Sequence, residues 1–163
     1  MGASQIRIPL RARDGTIVAW TVVDAADADF VNRWTWRLSS SGHATRGQWV
    51  DGTCQKVQLH RELLGLVRGD GVLGDHRDLD KLNNRRSNLR RATSLQNSQN
   101  RKNNEGSIST LRGVAYSKRK RKWQAQVWNG GRSIWLGYFR SERDAGSAAR
   151  AARLQLMPFS VES

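Results

Sequence analysis

One polar stretch constrains the fold of this chain more than any other feature. Residues 74–102 have the sequence GDHRDLDKLNNRRSNLRRATSLQNSQNRK, which combines an aspartate–histidine pair with many asparagines and arginines. A stretch of this composition buries little apolar surface by itself. It is typical of three kinds of segment: a disordered basic tail, a loop that grips DNA, and an active site.

The charge of the whole chain favours a polyanionic partner. Lysine and arginine number 28 against 14 aspartates and glutamates, which gives a formal net charge of +14 at pH 7. Nucleic acid is the usual partner of so basic a protein. A soluble basic protein without such a partner and a protein of anionic membrane surfaces are the alternatives. The hydrophobic share of 37% predicts a small core, whereas seven tryptophans argue against complete disorder.

Two further features bear on the compartment. Cys54 is the single cysteine, so the chain forms no internal disulfide and no zinc site of cysteine pairs. We therefore expect a reducing, intracellular compartment. No stretch approaches the roughly 20 apolar residues of a membrane span, and the N-terminal MGASQIRIPLRARDG has no apolar signal core. The sequence predicts no membrane partner.

Short periodic segments precede the polar stretch. Alternating apolar residues predict a hairpin over 5–24, with its turn at Asp14-Gly15, and a second hairpin over 34–46. Residues 24–33 predict a capped helical turn, and the apolar spacing over 57–67 predicts a helix. Within the polar stretch, Thr93 and Gln96 fit a capping box, so a helix is expected to begin near Ser94.

The C-terminal third has its own pattern. Residues 112–117, 122–128 and 133–139 predict three strands, and residues 141–156 predict a helix that is capped by Ser141. Residues 103–110 are polar, contain one glycine and indicate a linker. We therefore expect an α+β fold with two domains, residues 1–104 and 105–163.

The polar stretch contains the residue types of a metal-dependent hydrolase. The side-chain oxygens of Asp75 and Asn97 are hard ligands that suit Mg²⁺, with Mn²⁺ as a substitute. A neutral His76 could take a proton from an attacking water. The neighbouring arginines could hold phosphates. From composition alone, a basic loop whose asparagines make turns remains an equal alternative.

The order of motifs resembles the H-N-H endonucleases of phages and introns, the homing type. The matching motifs are His60-Arg61, Asp75-His76, Asn84-Arg85, Asn88-Leu89-Arg90 and Gln96-Asn97. The resemblance implies a ββα-metal (His-Me finger) core, preceded by a β-rich segment over residues 22–46. It implies metal ligation by Asp75 and Asn97, a general base in His76, and an Asn88 that holds the loop and orients the histidine. It also implies a phage or mobile-element gene and the cytoplasm of a bacterial host.

The remaining polar residues near these motifs have weaker signals. His60 lies in the helical pattern beside Leu59, and we expect it to pack or hydrogen-bond behind the site; contact with DNA or with the site is the alternative. His43 is expected to be an ordinary strand surface residue. Asp78 and Asp80 are expected to cap the loop or to be solvated.

Residues from about 108 to 157 resemble the Apetala-type (ethylene-response-factor) DNA-binding domain. The landmarks are Arg112-Gly113-Val114, Lys122-Trp123-Gln124-Ala125, Trp135-Leu136-Gly137-Tyr138-Phe139 and an alanine-rich helix. The resemblance implies a three-stranded antiparallel sheet that packs on one helix and lies in the major groove. The first strand has Ala115 and Ser117 where plant members have arginines, so their base preference is not carried over.

Side-chain alternation in these strands supports two distinct faces. Trp123, Ala125 and Val127 share one face, and small alanines would let a helix sit close to it. The other face exposes lysine, glutamine and tryptophan, which suits DNA; a solvated basic face is the alternative. The run at 118–122 is expected at a turn, where it grips phosphate. The residues expected to contact DNA in the whole chain are Arg85, Arg86, Arg90, Arg91, Arg112, Lys122, Gln124, Gln126, Trp128, Arg132 and Trp135.

Together these patterns predict a Mg²⁺-dependent endonuclease that hydrolyses phosphodiester bonds in double-stranded DNA. By resemblance, the products would carry 5′-phosphate and 3′-hydroxyl ends. One site per chain cuts one strand, so a monomer is expected to nick, and a double-strand break needs a homodimer or two events. The alternatives are a non-catalytic, sequence-specific DNA-binding regulator and, ranked lower, an RNA-binding module.

Overall fold

The chain folds into two compact units, Met1–Thr93 and Ser94–Ser163. The computed structural model describes residues 4–100 and 108–160. Its helices are few and its sheets are mostly antiparallel, which confirms the predicted α+β class. The predicted domain boundary at 104/105 and most of the predicted linker lie outside the described residues. None of the described helices is long and apolar enough to cross a membrane.

The first unit begins with the predicted hairpin. Strands β1 (Gln5–Arg11) and β2 (Ile17–Asp24) pair antiparallel, so the hairpin prediction is confirmed. The turn forms because Asp14 Oδ1 accepts hydrogen bonds from the backbone N–H and the hydroxyl of Thr16, at 3.0 and 2.7 Å. Ile8, Leu10 and Val23 point inward and are buried in the core of this unit.

A second sheet follows a short helical segment. After a 3₁₀ turn at Ala25–Asp27 and helix α1 (Ala28–Val31), strands β3 (Arg37–Leu38), β4 (Ala44–Val50) and β5 (Thr53–Gln58) form an antiparallel sheet in that order. The pairing of β3 with β4 confirms the second predicted hairpin.

The helix predicted over 57–67 is wrong in its extent. Helix α2 covers only Leu59–Leu63, and Val57 lies in β5 opposite Arg46 of β4. Strand pairing outweighs the helical spacing of the apolar residues here, because β5 satisfies its backbone groups along β4. At the other end, Gly65 adopts a positive φ of 62°, which ends the helix.

The last sheet of the first unit has two strands. Strands β6 (Leu73–His76) and β7 (Leu89–Ala92) pair antiparallel and are joined by the central part of the polar stretch. Leu89 belongs to the same buried core as Leu59 and Trp36. This core positions the hairpin that carries Asp75 and His76.

Within residues 94–100 and 108–160, the second unit contains two helices and one sheet. Helix α3 (Ser94–Gln99) is followed by strands β8 (Val114–Ser117), β9 (Lys122–Asn129) and β10 (Arg132–Phe139), which form a sheet in the order β10-β9-β8. Helix α4 (Glu142–Leu156) comes last, and the Ser141 hydroxyl accepts from the N–H of Asp144, as the predicted cap requires. The start of α3 at Ser94 is also as predicted.

The core of the second unit lies between α4 and the sheet. Ala145 and Ala149 of α4 are fully buried in one cluster with Ala125 and Val127 of β9. A bulge between Trp135 and Gly137 interrupts the pairing of β10 with β9, and Gly137 adopts a φ of 120° that suits glycine.

Candidate functional site

The β6–β7 hairpin presents the aspartate–histidine pair at the end of β6. Asp75 lies opposite Arg90 and His76 lies opposite Leu89 in the register of the two strands. Both Asp75 and His76 are buried. Arg90 Nε donates to Asp75 Oδ2 at 2.6 Å, which pairs a buried carboxylate with a nearly buried guanidinium. Arg90 therefore has a partner within the chain, and its predicted contact with DNA stays a prediction.

Asn88 holds the loop that joins the two strands. Its side-chain amide donates to Asp78 Oδ1 and to the Asn83 carbonyl, both at 2.8 Å, and its Oδ1 accepts from the Asp78 N–H at 3.1 Å. Asp78 also accepts from the N–H of Asp80, and Asp80 accepts from the N–H of Leu82. These bonds confirm that Asp78 and Asp80 cap the loop.

The ring of His76 is oriented by Asn84. His76 Nε2 lies 3.2 Å from Asn84 Oδ1, and Asn84 Nδ2 donates to Thr21 Oγ1 at 2.7 Å. Because the amide nitrogen of Asn84 faces Thr21, its oxygen faces His76, so Nε2 of the ring carries the hydrogen and Nδ1 keeps its lone pair. The resemblance assigned this orientation to Asn88, whose side chain bonds Asp78 and Asn83 of the loop instead.

Strand β2 anchors the same loop through its backbone. Val22 N donates to the Leu82 carbonyl, and Asn84 N donates to the Val22 carbonyl, both at 2.8 Å. The Thr21 hydroxyl donates to the Leu82 carbonyl at 2.7 Å. Asn84 and Thr21 are fully buried, so the N-terminal hairpin fixes the position of the His76 ring.

All three histidines of the chain converge at this place. His43 directly precedes β4, His60 lies in α2, and His76 ends β6. The ring centroid of His60 lies 5.1 Å from that of His43 and 4.9 Å from that of His76. The ring centroids of His43 and His76 are 5.9 Å apart. One ring nitrogen from each lies within 4.8 Å of the others. The expectation that His43 is an ordinary surface residue is therefore wrong, since its ring is half-buried against the other two.

Gly74 makes room for the cluster. A Cβ atom at this position would lie 2.5 Å from Cδ2 and 3.1 Å from Nε2 of His60. The first distance is shorter than any real contact of a Cβ atom, so a larger residue at this position would push the His60 ring away from His76.

Burial keeps the three rings uncharged at neutral pH. Desolvation lowers the pKa of His60 to about 3, and the neighbouring His76 and His43 act in the same direction. Desolvation and then the nearby Lys81 lower the pKa of His43 to about 4. The pKa of His76 is lowered as well, by desolvation, although the bond to Asn84 and the charge of Asp78 oppose this shift.

Three further arginines expected to hold phosphates also have partners within the first unit. Arg85 forms an ion pair with Asp24 at 3.4 Å, and Arg86 forms several hydrogen bonds with Asp27, the shortest at 2.7 Å. Arg91 donates to the Leu64 carbonyl at 2.7 Å. These bonds tie the loop and β7 to the rest of the unit, and contact of these residues with DNA stays a prediction.

Asn97 and Arg112 belong to the second unit. Asn97 lies in α3, so it and Asp75 fall in different units, and their pairing as metal ligands stays a prediction. Arg112 donates to the Gln99 carbonyl at 2.8 Å and to the Ser160 hydroxyl at 3.1 Å, so this guanidinium also has partners within its own unit.

The outer face of the second unit's sheet carries exposed aromatic rings. Trp128 is 62% exposed and Trp135 is 49% exposed, and the Trp135 ring lies 4.9 Å from that of Tyr138 in an edge-to-face arrangement. Gln126 lies opposite Trp135 in the strand register. We call this surface the aromatic face; its members are Lys122, Gln124, Gln126, Trp128, Ser133, Trp135 and Tyr138.

Comparison of the chain with models of protein families, with curated proteins and with solved structures finds no match. The geometry of the site therefore carries the functional argument. Sequence reasoning missed His43, Asn84 and Thr21 as parts of this site. Two signals were available, the small number of histidines and the Asn84-Arg85 motif, but neither indicated that His43, Asn84 and Thr21 meet at His76.

Proposed function

We propose that the chain is a metal-dependent endonuclease of the H-N-H type that hydrolyses phosphodiester bonds in duplex DNA. The observation that carries the proposal is the arrangement around His76. Burial lowers the pKa of its imidazole, and the bond between Nε2 and Asn84 Oδ1 fixes the orientation of the ring. A neutral, oriented imidazole is the side chain best suited to take a proton from water near pH 7.

In the proposed reaction, Nδ1 of His76 takes the proton of a water that attacks the phosphorus atom. Asn84 accepts a hydrogen bond from Nε2–H throughout, which stabilises the imidazolium that forms. Asn88 keeps the loop in place through its bonds to Asp78 and Asn83. The 3′-oxygen leaves from the opposite side of the phosphorus atom and takes a proton from solvent, so that a 5′-phosphate end and a 3′-hydroxyl end remain on the DNA.

The proposed donor set of Asp75 and Asn97 fits Mg²⁺ in its chemistry. Asp75 would supply carboxylate oxygens, and Asn97 would supply an amide oxygen from α3. Both are hard oxygen donors of the kind that Mg²⁺ prefers, and Mn²⁺ also accepts them. Arg90 bonds one of the Asp75 oxygens, which holds the carboxylate in a fixed orientation. A bound Mg²⁺ supplies positive charge that stabilises the phosphate in the transition state.

We assign the binding of duplex DNA to the second unit. The aromatic face presents flat rings and glutamine amides, and the exposed cations at 118–122 lie at the adjoining turn. This combination suits base edges and phosphates. The finer assignments, a ββα-metal core of β6, β7 and α3 and an Apetala-type unit, are part of this proposal and rest on the motifs and the element order.

The test is incubation of the purified chain with supercoiled plasmid, with Mg²⁺ and with an excess of chelator. We expect nicked circles in Mg²⁺ and none in chelator. Linear products that appear only at high protein concentration would indicate a homodimer. Uncut plasmid in both Mg²⁺ and Mn²⁺, from protein that retards the same plasmid in a gel, would overturn the nuclease proposal.

That last outcome would support the second candidate, a DNA-binding regulator without catalysis. The observation that favours it is the ion pair between Asp75 and Arg90, which a purely structural hairpin would also use. The aromatic face would serve a regulator equally well.

A further inference from the structure

We propose that His43, His60 and His76 together bind one transition-metal ion of the Zn²⁺ class. This site is distinct from the proposed Mg²⁺ ligands Asp75 and Asn97, and it does not depend on the nuclease proposal. The three residues come from the start of β4, from α2 and from the end of β6, so folding of the first unit assembles the site.

The separation of the rings is close to what such an ion requires. With bond lengths of about 2.0 Å, three nitrogens on a tetrahedral Zn²⁺ lie about 3.3 Å apart. The ring nitrogens of the cluster lie within 4.8 Å of one another. Small rotations of the rings, of no more than about 1 Å at each nitrogen, would bring them to bonding distance. A fourth position would remain for water or another ligand.

Two of the rings have the partners that metal-bound histidines use. His76 Nε2 bonds to Asn84 Oδ1, so Nδ1 is the nitrogen that we propose to bind the ion. His43 Nδ1 lies 3.1 Å from the Ser41 hydroxyl, which leaves Nε2. In metal sites the second ring nitrogen is commonly held in this way, because the bond fixes the tautomer and raises the basicity of the ligand.

His60 supplies an independent observation. Its side chain is only 4% exposed, yet its ring nitrogens form no hydrogen bond with any residue in ranges 4–100 and 108–160. Binding of an ion between the rings would give one of these ring nitrogens a partner. Gly74 leaves the space that this ring needs.

Ligand chemistry selects the kind of ion. Imidazole nitrogens favour Zn²⁺, Co²⁺ and Cu²⁺ over Mg²⁺, which prefers oxygen. The rings are neutral near pH 7 and need lose no proton to bind. The charges facing the cluster are mixed: Lys56 and Lys81 lie near His43, Arg61 lies near His60, and Asp75, Asp78 and Asp80 lie near His76. The three acidic side chains offset the three cations, so a divalent cation is tolerated.

The test is titration of the chelator-treated full-length chain with Co²⁺, whose tetrahedral complexes absorb visible light. All arms carry Cys54→Ser, because that exposed thiol is the other strong ligand. We expect one equivalent of Co²⁺ to bind, with displacement by Zn²⁺ and not by Mg²⁺. His43→Gln should weaken binding by at least about tenfold, since a ligand is lost.

Two controls keep the result clear. Asn97→Ala removes a proposed Mg²⁺ ligand and should leave the Co²⁺ spectrum unchanged, so failure of the nuclease proposal is separable from failure of this one. Because the chain has three histidines, ¹⁵N spectra of the imidazoles report on each of them, and Zn²⁺ should shift all three. Equal Co²⁺ affinity in His43→Gln and the parent, or Zn²⁺ shifts confined to one ring, would overturn the proposal.

Discussion

The ion pairs formed among the described residues of this chain lie in its first unit. In the first unit, five arginines form ion pairs with acidic residues: Arg46, Arg61, Arg85, Arg86 and Arg90. In the second unit, the exposed cations Lys118, Arg119, Lys120, Lys122 and Arg132 make no ion pair with any residue in the described part of the chain. The basic residues behind the net charge of +14 thus include both cations that form ion pairs within the fold and exposed cations that form none.

A positive charge locates a DNA-binding surface only where the cation has no structural partner. A guanidinium that is buried against a carboxylate holds the fold, and removing one partner leaves a costly unpaired charge. An exposed lysine at a turn has no such role and is available to phosphate. By this criterion the cations at the turn of the second unit are available to phosphate, and so are exposed arginines of the first unit such as Arg13 and Arg68. The division of labour between the units therefore has to be tested by function.

The largest expected effect is a loss of cleavage without a loss of DNA binding, which would show that the two units have different functions. His76→Ala removes the proposed base, and we expect cleavage to fall by about 10²–10⁴-fold while DNA binding is retained. Initial rates of plasmid nicking and a gel-shift titration measure the two quantities. Arg77→Ala, which changes the exposed neighbouring residue, is the matched control and should cut nearly as fast as the parent. A His76→Ala protein that cuts within a few-fold of the parent would remove His76 from the mechanism.

The second prediction concerns Zn²⁺ and follows from both proposals together. An ion held by the three histidines occupies Nδ1 of His76, so Zn²⁺ should inhibit cleavage in the presence of Mg²⁺. In His43→Gln the concentration of Zn²⁺ that halves the rate should rise by at least about tenfold. The measurement is nicking rate against free Zn²⁺ in a metal buffer. Identical inhibition curves for the two proteins would show that Zn²⁺ acts at another place.

The third prediction tests whether the loop of the first unit is held as tightly as its hydrogen bonds suggest. Asn88→Ala removes three hydrogen bonds to Asp78 and Asn83, and we expect it to lower the free energy of unfolding by about 1–3 kcal/mol. The matched control is Asp80→Asn, which keeps the acceptor for the N–H of Leu82. Urea unfolding followed by tryptophan fluorescence measures both. Equal stability of the two variants would contradict the role assigned to Asn88.

The fourth prediction is a pH dependence confined to the first unit. The folded pKa of His60 is about 3, below its ordinary value of 6.5, so the unfolded chain binds the extra proton first. Stability is therefore complete above about pH 6.5 and falls as the pH is lowered, by up to about 1.4 kcal/mol per pH unit for each such histidine. Unfolding at pH 7.5 and pH 5, in chelator, should show a smaller difference in His60→Gln than in the parent. An equal difference would assign the effect to other groups.

Local patterns predicted the elements of this chain better than its site. The hairpin at Asp14-Gly15, the cap at Ser141 and the start of α3 each depend on a few neighbouring residues, and each is found. The extent of α2 was wrong because pairing of β5 with β4 is not visible in the spacing of apolar residues. The convergence of His43 and His60 on His76 depends on three elements far apart in sequence, and no local pattern encodes it.

The smallest expected effect concerns sequence preference. It compares the role of the aromatic face with the role of the exposed cations of the second unit in DNA binding. The background is His76→Ala, so that the DNA stays intact, and the ligands are a duplex enriched from a random pool and its shuffled version. Trp128→Ala removes a ring that is 62% exposed and that we propose to meet base edges. It should reduce the preference for the enriched duplex over the shuffled duplex by about 1 kcal/mol, because it weakens binding to the enriched duplex more than binding to the shuffled one.

Lys120→Ala should weaken binding to both duplexes alike and reduce the slope of log affinity against log salt by about 1, because one phosphate contact is lost. Gel-shift titrations at two salt concentrations give all four quantities. If Trp128→Ala weakened both duplexes equally, the face would still bind DNA through general contacts, but its reading of sequence would be refuted, and the aromatic rings would be no different in role from the lysines beside them.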